Sequence, residues 1–160
     1  MENRNLKHFY IISAAVFGID QFSKFLATSF LSGRPASFDI FGYLSLTLVR
    51  NTGICFGMLS RWNIKYPVIA ASLLIAVFIF IYLYRQKIKT VRIQAALGMI
   101  EGGIIGNMAD RLRVNGVIDF INLHFWPVFN LADVFIVSGI CIILLEHFRG
   151  KNVPGISEVR

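Results

Sequence analysis

Residues 66–84 read YPVIAASLLIAVFIFIYLY, an unbroken apolar run without a single charge. A bilayer's hydrocarbon core is about 30 Å thick and is crossed by about 20 helical residues at roughly 1.5 Å each. The run therefore reads as a membrane-spanning helix. Working outward from it, residues 8–30, 93–109 and 129–146 are comparably apolar. The chain of 160 residues is 56% hydrophobic and only 16% charged, with a mean hydropathy of +0.64. That balance excludes an ordinary water-soluble surface. Four crossings take up about half of such a chain, which leaves no room for a large soluble domain. We expect a helical membrane protein with four transmembrane helices, residues 1–150 forming one integral membrane domain and 151–160 a polar cytoplasmic tail.

The other crossings carry charges. Asp20 and Lys24 lie in the first, Glu101 in the third, which closes on Asp110 and Arg111, and Asp133 near the start of the fourth. Charges at membrane depth are expensive, so they need partners, a wet cavity or a function. Glu101 in particular must be protonated or find a partner in the bundle.

Lysine and arginine orient the chain. Arg4, Lys7, Arg85, Lys87, Lys89, Arg92, Arg149, Lys151 and Arg160 fall on one side. Arg34, Arg50, Arg61, Lys65, Arg111 and Arg113 fall on the other. The excess places both termini in the cytoplasm and both long connections outside. The net charge of +7 is thus read as an orientation signal, with no nucleic acid as partner. The basic start followed by an apolar run resembles a signal peptide, but cleavage near Ala27 would discard Asp20 and Lys24, so an uncleaved first crossing is expected. Cys55 and Cys141 suggest neither a disulfide framework nor a metal site.

The outer connections carry strand signals. Leu44, Leu46 and Leu48 alternate with Ser45 and Thr47, a period of two that predicts a strand with one apolar and one polar face. Asn51, Gly53 and Gly57 punctuate it. Asn115-Gly116 is a tight-turn signal, and Val117-Ile118-Asp119-Phe120-Ile121 has strand-like composition. A small extracytoplasmic β element over about 38–59 is expected beside the helices, its apolar side resting on lipid or substrate.

Several residues could do chemistry. Asp20 and Lys24, four apart, share a helix face and can neutralise one another, which would equally serve a structural ion pair. Gly98, Gly102 and Gly106 form a smooth face for close helix packing. Asn107, Asp110 and Arg111 cluster at the outer end of the third crossing, where the last two could simply anchor it at the interface. Asn130 and Asp133, three apart, share the first turn of the fourth crossing, where Asn130 could cap the helix and Asp133 suits its positive end. Asp119 lies just upstream. Two carboxylates brought together in a partly dry site resist ionising together, and such a pair can act as acid and base on water. Spacing permits Asp119 and Asp133 to meet but does not require it. His8, His124 and His147 are scattered without metal-ligand spacing; His124, beside Phe125-Trp126, reads as an interfacial residue.

Taken in order, Asp20-Gln21-Phe22-Ser23-Lys24, Asn51-Thr52-Gly53-Ile54-Cys55-Phe56-Gly57, Gly102-Gly103-Ile104-Ile105-Gly106-Asn107-Met108-Ala109-Asp110-Arg111, Val117-Ile118-Asp119-Phe120-Ile121 and Phe129-Asn130-Leu131-Ala132-Asp133 resemble the bacterial lipoprotein signal peptidases, or signal peptidase II. The resemblance implies an intramembrane aspartic endopeptidase of the inner membrane. Such an enzyme cuts the signal peptide from a prolipoprotein just before a diacylglyceryl-modified cysteine, without a metal or other cofactor. It further implies Asp119 and Asp133 as the catalytic pair. Asp20, Lys24, Asn51, Gly53, Asn107, Asp110, Arg111 and Asn130 become the supporting or substrate-binding surround. Within it, Asn130 would orient Asp133, Asp110 and Arg111 would brace the third helix against the outer loop, and Asn51 would contact substrate backbone. Prolipoprotein substrates and membrane lipids are the implied partners, with the protein functional as a monomer. Glu101, Cys55 and Val134 depart from the family's usual residues. Two other classes fit the charged crossings: a proton-coupled transporter using the acids as a relay, and a noncatalytic assembly factor that dimerises through the glycine face.

Overall fold

A computed structural model describes residues 6–33, 37–53, 65–86 and 90–148 of the chain. Arg4, Arg34, Cys55, Gly57, Arg61, Lys87, Lys89, Arg149, Lys151, Arg160, the tail over 151–160 and the 54–59 part of the expected outer element lie outside the described residues.

Four helices and three strands follow one another as α1 (Lys7–Leu31), β1 (Phe38–Phe41), β2 (Leu44–Asn51), α2 (Lys65–Gln86), α3 (Val91–Val114), β3 (Val117–Asn122) and α4 (Leu131–Phe148). By length and composition α1, α2 and α4 are apolar enough to cross a membrane. Helix α3 carries too many polar residues for that test, yet it is the centre of the bundle, packed by α1, α2 and α4. Its Gln94, Asn107 and Asp110 are buried by neighbouring elements instead of facing lipid, which is how a less apolar segment is accommodated at membrane depth. Outward faces are apolar, as with Leu74, Phe78 and Leu145.

The glycines of α3 explain how closely this centre is packed. A Cβ built on Gly98 would lie 2.8 Å from the carbonyl oxygen of Phe9, and one on Gly102 would lie 2.6 Å from that of Ser13. At Gly106 it would run into the Asp20 carboxylate. Helix α1 therefore lies along the Gly98, Gly102 and Gly106 stripe, as the four-residue spacing suggests. Gly103 and Gly139, which stand outside that four-residue spacing, do the same between α3 and α4: their Cβ atoms would meet the carbonyl oxygens of Ala132 at 2.7 Å and Ala96 at 2.6 Å. At the opposite end of the bundle from the sheet, Arg92 Nη1 donates to the buried Glu146 Oε1 at 3.1 Å and ties α3 to α4.

The strands form one antiparallel sheet in the order β1-β2-β3. The Asn115-Gly116 signal is realised as the end of α3, where Asn115 takes the left-handed conformation at φ 57° and turns the chain straight into β3. The alternation in β2 is more complicated than a period of two. Ser45 is the fully buried residue, Leu48 and Val49 are exposed, and the β2–β3 register slips between Leu46 and Val49. A slip of one residue in a pair re-aims the side chains that follow. Leu46 does not rest on lipid: with Ile121 of β3 and Leu131 of α4, it packs against a buried cluster of Ala27 and Leu31 of α1 and Phe120 of β3. The sheet is thereby fastened to the ends of α1 and α4.

Candidate active site

Beyond the slip, Val49 lies opposite Asp119 and Asn51 opposite Val117. Residues two apart share a face, so Asn51 is the diagonal neighbour of Asp119. That face is turned into the bundle, with Val117 and Asp119 both buried. Asn51 Nδ2 donates to Asp119 Oδ2 at 3.0 Å, while Asn51 Oδ1 accepts the Gly53 amide at 3.0 Å. Asn51 thus holds Asp119 in this structure.

The fourth helix arrives at the same place because the loop before it closes. Phe129 N donates to Ile121 O at 3.0 Å, and Phe129 O accepts the amides of Phe120 at 3.0 Å and Ile121 at 2.8 Å. Within the loop, Asn122 Oδ1 accepts the His124 amide, which accompanies the positive φ of His124. This closure brings Asn130 against Asp119, Nδ2 to Oδ1 at 2.6 Å. Asn130 also caps α4: its Oδ1 accepts from Asp133 N at 3.1 Å, and its own N donates to Asp133 Oδ2 at 3.3 Å. Reciprocal bonds of this kind form a capping box. One asparagine therefore touches both carboxyl groups.

A third asparagine completes the arrangement. Asn107 Nδ2 donates to Asp133 Oδ1 at 2.9 Å, and Asn107 Oδ1 accepts from Asn130 Nδ2 at 3.1 Å and Lys24 Nζ at 2.9 Å. Lys24 is fully buried and also donates to Asp20 Oδ2 and Asp110 Oδ2, each at 2.8 Å. A buried ammonium is tolerable only when all of its hydrogens are paired, as they are here. The remaining oxygens of its partners are used as well. Asp20 Oδ1 accepts the Ala132 amide of α4 at 3.0 Å. Asp110 Oδ1 accepts from Arg113 at 3.2 Å, and Asp110 Oδ2 also accepts the Ile118 amide of β3 at 3.2 Å. Gln21, quoted in the sequence motif but given no role, donates to Asp20, Asp110 and the Gly106 carbonyl. Its signal was adjacency to Asp20 on a helix whose next turn carries Lys24.

Asp20, Lys24, Asn51, Asn107, Asp110, Arg111, Asp119, Asn130 and Asp133 are therefore gathered at the sheet end of the bundle. Asp110 is no interfacial anchor, being fully buried. Arg111 reaches from the Asn107 carbonyl to that of Gly53, so α3 is braced against both the strand and the segment after β2. Glu101 is left out. Its Oε2 is buried with no hydrogen-bond partner among the described residues. No group of three His, Cys, Asp or Glu side chains with metal-binding geometry occurs among the described residues.

Exposure separates the two acids. Burial pushes the Asp119 carboxyl up to about 6; the nearby Asp133 charge adds to this, while the Asn51 and Asn130 bonds and the Lys24 charge oppose it. Asp133 is more open than Asp119. A mostly enclosed acid beside a partly open one, joined by amides, can share a proton and reach a water molecule.

Fold and site together define a multi-pass membrane protein whose buried acids converge at one end of the helices. Residues 12–149 match the family model described as signal peptidase (SPase) II, and the chain belongs to that family of peptidases. Among its relatives, the lipoprotein signal peptidase of Oleidesulfovibrio alaskensis is 35% identical over 148 residues, covering 89% of this chain and 95% of the relative. That of Anaplasma marginale is 37% identical, covering 82% and 79%. A solved structure described as a bacterial membrane enzyme shares the fold, with a TM-score of 0.79 at 23% identity, covering 95% of this chain and 94% of that one.

Proposed function

We propose that this chain is the endopeptidase that removes the signal peptide from diacylglyceryl-modified prolipoproteins, cutting before the lipidated cysteine, with Asp119 and Asp133 as its catalytic pair. The observation that carries the reading is the double grip of Asn130, whose Nδ2 meets Asp119 and whose backbone N meets Asp133. In the reaction, one carboxylate takes a proton from water as the water oxygen attacks the scissile carbonyl carbon. The C–O bond forms, the C–N bond breaks, and the protonated carboxyl of the pair gives its proton to the departing amine. The pair still carries one proton at the end of the step, and its return from the carboxyl that took it to the other resets the site.

The remainder of the reading is topological. Both termini lie in the cytoplasm of a bacterial inner membrane, as the excess of basic residues on that side supports. The acids then stand at the outer boundary, where a lipid-anchored cysteine presents its scissile bond. The apolar residues of the edge strand β1 and the following turn, Phe38, Ile40, Phe41 and Tyr43, are exposed and suit contact with lipid. The protein works as a monomer on lipidated precursor.

Purified protein mixed with a lipidated precursor and with the same precursor lacking its lipid tests this. Cleavage of the first alone is expected, and equal cleavage of both would remove lipid recognition from the account. The pH dependence has a definite sign. With the Asp119 carboxyl at about 6, raising the pH through that value strips the proton the leaving amine needs. The kcat/KM value, which reports the free enzyme, should fall on the alkaline side from about pH 6 upward.

A further inference from the structure

Given the pair as read above, we infer that Lys24 is a positioning residue that acts through the Asn107 amide to hold Asp133 as the carboxylate that takes the proton from water, leaving the starting proton on Asp119. Lys24 does not touch either acid in the described structure: its three hydrogens go to Asp20, Asp110 and Asn107. The consequence lies in the third bond. Asn107 Oδ1 faces two donors, the Lys24 ammonium and Asn130 Nδ2. Turning the amide over would set its NH2 group against both, so the carbonyl is fixed on that side. The NH2 group is then obliged to face α4, where it donates to Asp133 Oδ1.

Asp133 gains further from its place in the first turn of α4, where the positive end of the helix dipole favours an anion. Its other oxygen accepts the Asn130 amide. Asp119 lies on a strand without a helix end, and its side-chain donors are the neutral amides of Asn51 and Asn130. The other charged groups around the pair are Asp20 on α1 and Asp110, Arg111 and Arg113 on α3; Arg50 of β2 is turned to the Val114 carbonyl. Asp20 and Asp110 offset the Lys24 charge locally. What is passed on to Asp133 is therefore the direction of an amide dipole more than a bare cation.

The test is the pH profile of kcat/KM on a lipidated precursor. Lys24→Met removes the donor, and it is made in an Asp20→Asn background so that one positive and one negative group leave together. Relative to the parent, its acid limb is expected to move up by about one pH unit. Asn107→Leu provides the second variant, since it removes the relay while Lys24 keeps both carboxylate partners. Its acid limb should move the same way, and it decides the matter if the first variant does not insert. A lower kcat or a lower yield of folded protein with the acid limb unmoved in Asn107→Leu would overturn the inference and leave Lys24 purely structural. Failure of the acid pair itself reads differently, as cleavage retained by Asp119→Asn or Asp133→Asn.

Discussion

Asp119→Asn and Asp133→Asn should each lower cleavage of a lipidated precursor by about 10²- to 10⁴-fold, the scale on which general acid and base groups contribute. The two should not add, because removing either leaves the other without the partner it works with. Asparagine keeps the shape of both positions. At 133 its oxygen can still accept from Asn107, and at 119 it can still accept from one of Asn51 and Asn130. Membrane insertion and helix packing should therefore survive. The measurement is precursor turnover by variant protein whose amount in the membrane is matched to the parent. A variant within tenfold of the parent would remove that residue from the reaction.

Gly102→Leu should have the second large effect, this time on the fold. The new Cβ would sit 2.6 Å from the Ser13 carbonyl and 2.8 Å from Val16 Cβ, so the backbone of α1 must withdraw. Overpacking of this sort costs about 1–3 kcal/mol even for small additions. Asp20 and Lys24 ride on the same helix and close their bonds to Ala132, Asp110 and Asn107 across that contact. Separation would leave a buried ammonium and two carboxylates without full pairing, a further penalty of several kcal/mol. Thermal unfolding in detergent should show a sharply lowered midpoint or no folded protein. Gly18→Leu on α1 is the control, because a Cβ there meets nothing within 4 Å. Equal loss in both variants would contradict the packing argument.

How much of this was legible beforehand follows from the range of each interaction. The helices were readable because bilayer thickness imposes a length and a composition on every crossing, and residues 66–84 meet both. The pairing of Asp20 with Lys24 is set by helix pitch, so spacing alone gives it. The glycine stripe on α3 was readable for the same reason, whereas Gly103 and Gly139 are single contacts with no period to announce them. Period-two reasoning placed Leu46 on an apolar face, but the slip after it, which exposes Leu48 and Val49, depends on β3. The meeting of Asp119 with Asp133 was beyond spacing altogether. It needs the Ile121–Phe129 closure and the bonding of Asn130, and both are tertiary. Motif resemblance named the pair; local physics could only permit it. The proposed Lys24 relay was hidden for a related reason, since the direction of an amide is decided by donors on three different elements.

The central claim is that two acids, delivered by a strand and by a helix start, act on one water at one carbonyl. A structure of the lipid-embedded protein holding an uncleavable lipidated peptide tests it most directly. The account predicts carboxyl oxygens of both Asp119 and Asp133 within about 3.2 Å of the group that replaces the scissile carbonyl. A bound peptide whose reacting group touches one of them alone, or lies at another part of the bundle, would contradict it.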